Sequence, residues 1–227
     1  MARIIFDIET AGRDFESLDT PTQEYLLRRA GSEEEILEVK ESLSFYPLTG
    51  EVIAIGMLNP DSLRGAVYYQ APQDSLLPFE EDSISFHTGT EREILKIFWE
   101  AIKNYDQFIT FNGRGFDCPF LMVRSAVHKI KPTRDLMPNR YSGPHVDLLD
   151  QLTFYGASRR RFSLDMWCKT FGIKSPKSEG ITGYDVKGLF SSKRYIEIAK
   201  YCLGDIVATK ELLSYWENYI RFSPEKS

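Results

Sequence analysis

The chain has 227 residues, of which 42% are hydrophobic and 27% charged, and a formal net charge of −5. That length suits one domain with insertions, and the apolar fraction is enough to bury a sizeable core. The acidic balance argues against a module that holds nucleic acid by a basic surface alone, since such a surface should carry net positive charge.

Residues 3–9 read as a buried strand, with apolar Ile4, Ile5, Phe6 and Ile8 and acids only toward its end. This opening lacks a charged-then-apolar leader pattern, so a cytoplasmic location is expected. Residues 13–50 are charged, with helical spacing around Tyr25 to Leu27 and Ile36 to Val39. They read as a helical insertion closed by Pro47 and Gly50, within a single domain of residues 1–227. Residues 51–58 and 65–70 read as paired strands across the Asn59-Pro60-Asp61 turn, and 71–84 as loop. Thr90 and Glu93 fit a capping box for a helix whose apolar face is Ile94, Leu95, Ile97, Phe98 and Ile102.

A short strand at 108–111 then meets the turn Asn112-Gly113-Arg114-Gly115 and a helix at about 116–128. The glycines permit a tight strand-to-helix change. Residues 146–149 are a short strand or a helix entry. Ser163 would cap a helix ended by Gly172. Residues 173–190 read as loop, and a long helix runs from about 192 to 220. Adjacent strands at 51–70 should be antiparallel, and helix crossovers imply parallel neighbours later. The expected fold is therefore α/β, with a mixed central sheet and helices on both faces.

No apolar run approaches the roughly 20 residues that span a bilayer, so no membrane partner is expected. Cys118, Cys168 and Cys202 are odd in number and far apart, which suggests core residues rather than a disulfide framework or a zinc site.

Four acids stand out. Asp7 and Glu9, two apart on a strand, should point to one face. Like charges side by side repel unless a cation lies between them, and hard cations such as Mg²⁺ or Mn²⁺ suit oxygen ligands. A strand end reaching solvent would also carry acids. Asp117 falls in the first turn of its helix, where an acid also suits the helix dipole. Tyr201 and Asp205 share a helix face at i, i+4 beside apolar Leu203, Ile206 and Val207, where an acid needs a partner, a metal or an exposed rim.

Taken together, FDIET at 6–10, FNGRGFDCPFL at 111–121 and YCLGD at 201–205 resemble the DEDD superfamily of 3′–5′ exonucleases, in the branch with tyrosine in the third motif. The likeness spans about residues 3–216 and includes FSLDMWCKTFGI at 162–173. It is strongest to the exonuclease domain of family B DNA polymerases and the stand-alone predicted exonucleases related to it. The resemblance implies a ribonuclease H-like fold and two divalent ions, Mg²⁺ or Mn²⁺. Asp7, Glu9 and Asp205 would hold the first ion, Asp7 would bridge to the second, and Asp117 would support that ion through water. Tyr201 would orient or help to activate the attacking water. One ion would serve the nucleophile and the other the leaving 3′ oxygen. None of His87, His128 and His145 lies near Asp205 in sequence, which separates the chain from the histidine branch and leaves the histidines as ordinary residues.

The expected substrate is a single-stranded 3′ end of DNA or RNA. Asn112 and Phe116 would contact the terminal nucleotide, and Arg159, Arg160 and Arg161 its phosphates. Phe116 in the core, and the arginines as a solvated turn, are the structural alternatives. Lys169, Lys174 and Lys177 are further candidates along the approach. Gly204, just before Asp205, loosens a helix that should hold a metal ligand firmly. The sequence carries no polymerase module, so proofreading within one chain is not expected. Other readings are a non-catalytic nucleic-acid or protein-binding module on the same fold, and an endonuclease.

Overall fold

The structure is a computed structural model that describes residues 1–72, 77–141, 143–175 and 185–222. Strand β1 (Arg3–Gly12) is followed by helices α1 (Thr20–Leu27) and α2 (Glu33–Glu41), then by strands β2 (Gly50–Leu58), β3 (Gly65–Gln70), β4 (Phe79–Glu81) and β5 (Ile84–Gly89). Helix α3 (Glu91–Ile102), strand β6 (Gln107–Thr110), helix α4 (Asp117–Val127), strand β7 (His145–Asp147) and helix α5 (Leu148–Leu152) come next. Helices α6 (Leu164–Phe171), α7 (Val186–Ser191) and α8 (Tyr195–Tyr219) complete the described elements.

The strands form one seven-stranded sheet in the order β4-β5-β3-β2-β1-β6-β7. It is mixed, as the element order requires. β1 is antiparallel to β2 and parallel to β6, and β6 is parallel to β7. Each face buries its own core. Ile4, Phe6, Ile8 and Ile55 pack against Ile94, Phe98 and Trp99 of α3 and Phe120 and Leu121 of α4. Ile5, Ile53 and Val67 pack against Leu148 of α5, Leu189 of α7 and Ile198, Ile206 and Leu212 of α8. Full burial of each such side chain stabilises the fold by about 1.5–3 kcal/mol.

The predicted signals hold at several ends. The Thr90–Glu93 capping box is formed, with the Thr90 N–H donating to Glu93 Oε2 at 2.8 Å. Ser163 caps α6 by accepting from the Met166 N–H, and Gly172 ends that helix in the left-handed region at φ 70°.

Other expectations need correction. The stretch 71–84, expected as loop, contains β4, and β5 begins at its end. Ile84 and Phe86 are the alternating apolar pair that seats β5 beside β3. β1 runs to Gly12 because Thr10, Ala11 and Gly12 keep pairing with β2 beyond a register shift at Glu9/Thr10. The expected helix from about 192 begins at Tyr195 instead. A separate short helix, α7, precedes it within the expected loop, and Lys193 breaks the run at φ 60°. The 146–149 segment is both of its readings in turn, β7 ending at Asp147 and α5 beginning at Leu148.

Candidate functional site

β6 pairs with β1 only through Arg3, Ile4 and Ile5, so beyond Ile5 the β6-side edge of β1 is open. The chain leaving β6 turns at once and returns as α4 to fill that edge. Asp117, first residue of α4, accepts the Ile8 N–H on Oδ1 at 3.0 Å. A backbone donor that the sheet does not use thus fixes the acid.

The turn that makes this possible has a different basis from the one its glycines suggest. Asn112 carries the left-handed backbone, at φ 63°. Gly113 is required by space, because a Cβ there would lie 2.3 Å from Thr110 Oγ1. Asp147, which sequence reading missed, holds the turn shut. Its carboxylate accepts the N–H groups of Asn112 (2.9 Å), Arg114 (2.9 Å) and Leu149 (3.0 Å). The available signal was an acid at the end of a strand immediately before a helix, where it caps that helix.

On the other side, α8 lies close against the sheet at Gly56, the residue paired with Asp7 across β1 and β2. A Cβ at Gly56 would sit 2.0 Å from Ile206 Cδ1 and 3.0 Å from Cys202 Sγ. The missing side chain therefore admits the helix that carries Tyr201 and Asp205.

These elements enclose a cleft of about 380 Å³. Asp7, Glu9, Asp117, Tyr201 and Asp205 all line it, as do Asn112 and Phe116. Phe116 is half-buried and also packs on Phe120, with ring centroids 5.4 Å apart, so both of its readings hold. Ser44 and Phe45, from the segment between β1 and β2, line the cleft too. Ser44 is tied to β1 by the Thr10 hydroxyl, which donates to its carbonyl at 2.7 Å. Sequence reading missed both, and the insertion's charged surface gave no signal for them.

The predicted arginines divide. Arg161 Nη2 donates to Asn112 Oδ1 at 3.1 Å and so stands at the cleft. Arg159 and Arg160 are exposed and do not line it, and the Arg160 guanidinium lies 5.0 Å from the Phe162 ring centroid. Lys169 pairs with Asp165 at 2.9 Å, Lys174 lines a neighbouring cavity beside Gly204 and Tyr201, and Lys177 lies outside the described residues. The histidines are structural. His87 stacks on Tyr68, His128 bonds to Glu91, and His145 is buried against Thr110 and the Leu136 carbonyl.

The electrostatics of the cleft follow from crowding carboxylates into a dry place. Burial, then the charges of Asp117, Asp205 and Glu9, push Asp7 well above the usual carboxylate range. Glu9 is raised well above it for the same reasons, burial first and then Asp205 and Asp117. Burial raises Asp117 to about 7, against the lowering effect of the N–H groups of Asp117 itself and Ile8. The Tyr201 phenol is also raised, by burial and then by Asp205, Glu9 and Asp7. The shifts of Asp7 and Glu9 come from burial and from neighbouring carboxylates.

Ligand atoms of Asp7, Glu9 and Cys202 lie within 4.8 Å of one another, a spacing that fits one cation. Converging carboxylate oxygens raised by burial and by one another are a donor set that suits a divalent ion. All three cysteines are buried core residues, as expected, and Cys202 additionally abuts the acids, its thiol 3.8 Å from the Asp7 carbonyl.

The comparisons with known proteins agree with this architecture. Residues 75–222, about two thirds of the chain, match the family described as a predicted 3′–5′ exonuclease related to the exonuclease domain of PolB. That span holds Asp117, Tyr201 and Asp205 and begins after Asp7 and Glu9. No curated protein matches the sequence. The structure is similar to that of the family B DNA polymerase from the hyperthermophilic archaeon Pyrobaculum calidifontis, with a TM-score of 0.60 and 18% identity. The alignment covers 95% of this chain and 24% of the polymerase, so the chain spans about a quarter of that relative. The fold is ribonuclease H-like. No described helix is long and apolar enough to cross a membrane.

Proposed function

The chain belongs to the family of predicted 3′–5′ exonucleases related to the exonuclease domain of PolB, and on that premise we propose that it is a two-metal exonuclease of the tyrosine branch that removes nucleotides from single-stranded 3′ ends. The observation that carries this reading is the convergence of Asp7, Glu9, Asp117, Asp205 and Tyr201 on one cleft from β1, α4 and α8. A set of buried carboxylates that repel one another is costly unless cations occupy the space between them.

In this proposal Asp7, Glu9 and Asp205 would hold one divalent ion, Mg²⁺ or Mn²⁺. Asp7 would also serve a second, which Asp117 would support. Bound ions would supply charge neutralisation at the phosphate and activation of the attacking water. Tyr201 stays protonated at neutral pH, because its phenol is raised, and orients that water by hydrogen bonding. Asn112 and Phe116 seat the terminal nucleotide, with Phe116 offering a ring face to the base. Arg161 reaches the strand just outside the cleft. Residues 1–227 act as one exonuclease domain, and the insertion at about 13–50 contributes the Ser44–Phe45 wall.

The test is incubation of 5′-end-labelled single strands of DNA and RNA with Mg²⁺ or Mn²⁺. The expected result is a ladder of products shortening from the 3′ end, while circular single-stranded DNA resists. Intact linear substrates under both metals would overturn the proposal, and cutting of circles would make the enzyme an endonuclease.

A further inference from the structure

A second concavity lies at the β7 edge of the sheet, away from the acids. It has a volume of about 450 Å³, and its walls include Arg140, Tyr141, Tyr155, Trp216, Arg221 and Phe222. The Tyr141 and Tyr155 rings are 4.9 Å apart at 56°, and the Arg221 guanidinium lies 5.4 Å from the Trp216 ring centroid. Tyr141 is 71% exposed, Phe154 63% and Phe222 87%. Rings so open to water contribute little to the core.

The backbone beneath them is costly as well. Phe154 and Tyr155 both adopt left-handed conformations, at φ 50° and 55°, followed by Gly156 at φ 95°. Asn or Gly fills such positions with least strain, whereas each bulky residue costs on the order of 1 kcal/mol. The fold thus holds two aromatic residues in a strained turn, and one of them is mostly in solvent.

This groove connects to the cleft. Arg161 donates to Asn112 Oδ1 in the cleft wall at 3.1 Å and lies 3.9 Å from Asp150 Oδ1. Asp150 in turn accepts from Arg140 Nε at 2.7 Å, and Arg140 lines the groove. The cleft, Arg161, Arg140 and Tyr141 therefore form one continuous line. Along α8, the distance from Asp205 in the cleft to Trp216 in the groove is roughly 16 Å at ~1.5 Å rise per residue. Arg140, bonded to Asp150, and Arg221, 3.8 Å from Glu217, line the groove, and Arg161 stands between it and the cleft.

From this placement we infer that the β7-edge groove holds the strand upstream of the reacting end, with its bases on the exposed rings and its phosphates on the arginines. The inference rests on the exonuclease reading, because a 3′ end in the cleft requires the rest of the strand to leave it. Aromatic platforms interleaved with arginines suit unpaired bases of any sequence.

The test measures binding without cleavage. Fluorescein-labelled oligothymidylate and oligouridylate, short (about 4 nucleotides) and long (about 20), are titrated with the full chain in EDTA and followed by anisotropy. The wild type should bind the long strands more tightly than the short ones. Tyr141→Ala/Arg221→Ala should weaken long-strand binding about tenfold, the scale of one stacking contact, and should leave short-strand binding as in the wild type. Tyr141→Phe, which keeps the ring, should bind as the wild type does. Loss of one arginine contact should also flatten the salt dependence by roughly 0.7 in log–log slope. Wild-type affinity for long strands in the double variant, or equal binding of short and long strands by the wild type, would overturn the inference. The exonuclease reading fails separately, by absence of shortening when Mg²⁺ or Mn²⁺ is added.

Discussion

Buried acids at two places in this protein are accommodated in opposite ways. Where α3 meets α4, Glu91 is 5% exposed and its carboxylate is fully engaged. It accepts from the Val52 N–H at 2.8 Å, from Arg124 Nε at 2.8 Å and Nη2 at 2.7 Å, and bonds to His128 Nε2 at 2.6 Å. Although burial alone would raise it, these bonds bring Glu91 below the usual carboxylate range. Where β1 meets α8, Glu9 is comparably buried and Asp7 half-buried; among the described residues neither carboxylate has such partners, and both are pushed far up. The first arrangement is complete without any ligand. In the second, burial and neighbouring carboxylates raise acids that line a cleft, which is the physical mark of a site rather than of a scaffold.

The widest separation between the two regions should come from Asp7→Ala. It removes the ligand shared by both proposed ions, and hydrolysis of single-stranded ends should fall by roughly a thousandfold or more while the protein stays folded. A steady-state assay beside circular dichroism reads both, and retained activity would refute the metal assignment. Glu91→Ala should behave in the opposite sense. It leaves the Arg124 guanidinium, 3% exposed, without its partner, and should cost about 3–5 kcal/mol in a urea denaturation. Activity per folded molecule should be kept.

The pH dependence separates scaffold from site by its sign. His145, 3% exposed, is lowered from 6.5 to about 4, chiefly by burial and then by Arg114. Its neutral form is therefore favoured in the folded state. The stability it contributes is complete above about 6.5 and lost as pH falls toward 4, up to about 3 kcal/mol. Asp117 runs the other way. Raised from 3.8 to about 7, it binds a proton more readily folded than unfolded, so metal-free stability falls as pH rises across that window. Asp117→Asn keeps an acceptor for the Ile8 N–H and removes the charge. At pH 8 without metal it should be more stable than the wild type by about 1–2 kcal/mol, or roughly 2–8 °C in melting temperature. A lower melting temperature would mean that the acids do not repel in the folded chain.

What the sequence made legible follows the same division. Asp7 and Glu9 on one strand face, and Tyr201 one helical turn before Asp205, are short-range patterns that spacing alone displays. The buried strand ending in acids, the Thr90 capping box and the Ser163–Gly172 helix were equally local. What escaped depends on tertiary contact. Asp147 acts through N–H groups more than thirty residues away in sequence, at Asn112 and Arg114. Ser44 and Phe45 line the cleft only because the insertion folds back on β1. β4 is a three-residue edge strand with weak alternation. Gly56 carried no motif, and its role appears only when Ile206 is seen against it.

The contrast between the two acid groups is tested most directly by calorimetric titration of the metal-free protein with Mn²⁺, comparing the wild type with Asp7→Asn. The account predicts saturable binding to the wild type that is lost in Asp7→Asn. No binding to the wild type, or equal binding by the two proteins, would contradict it.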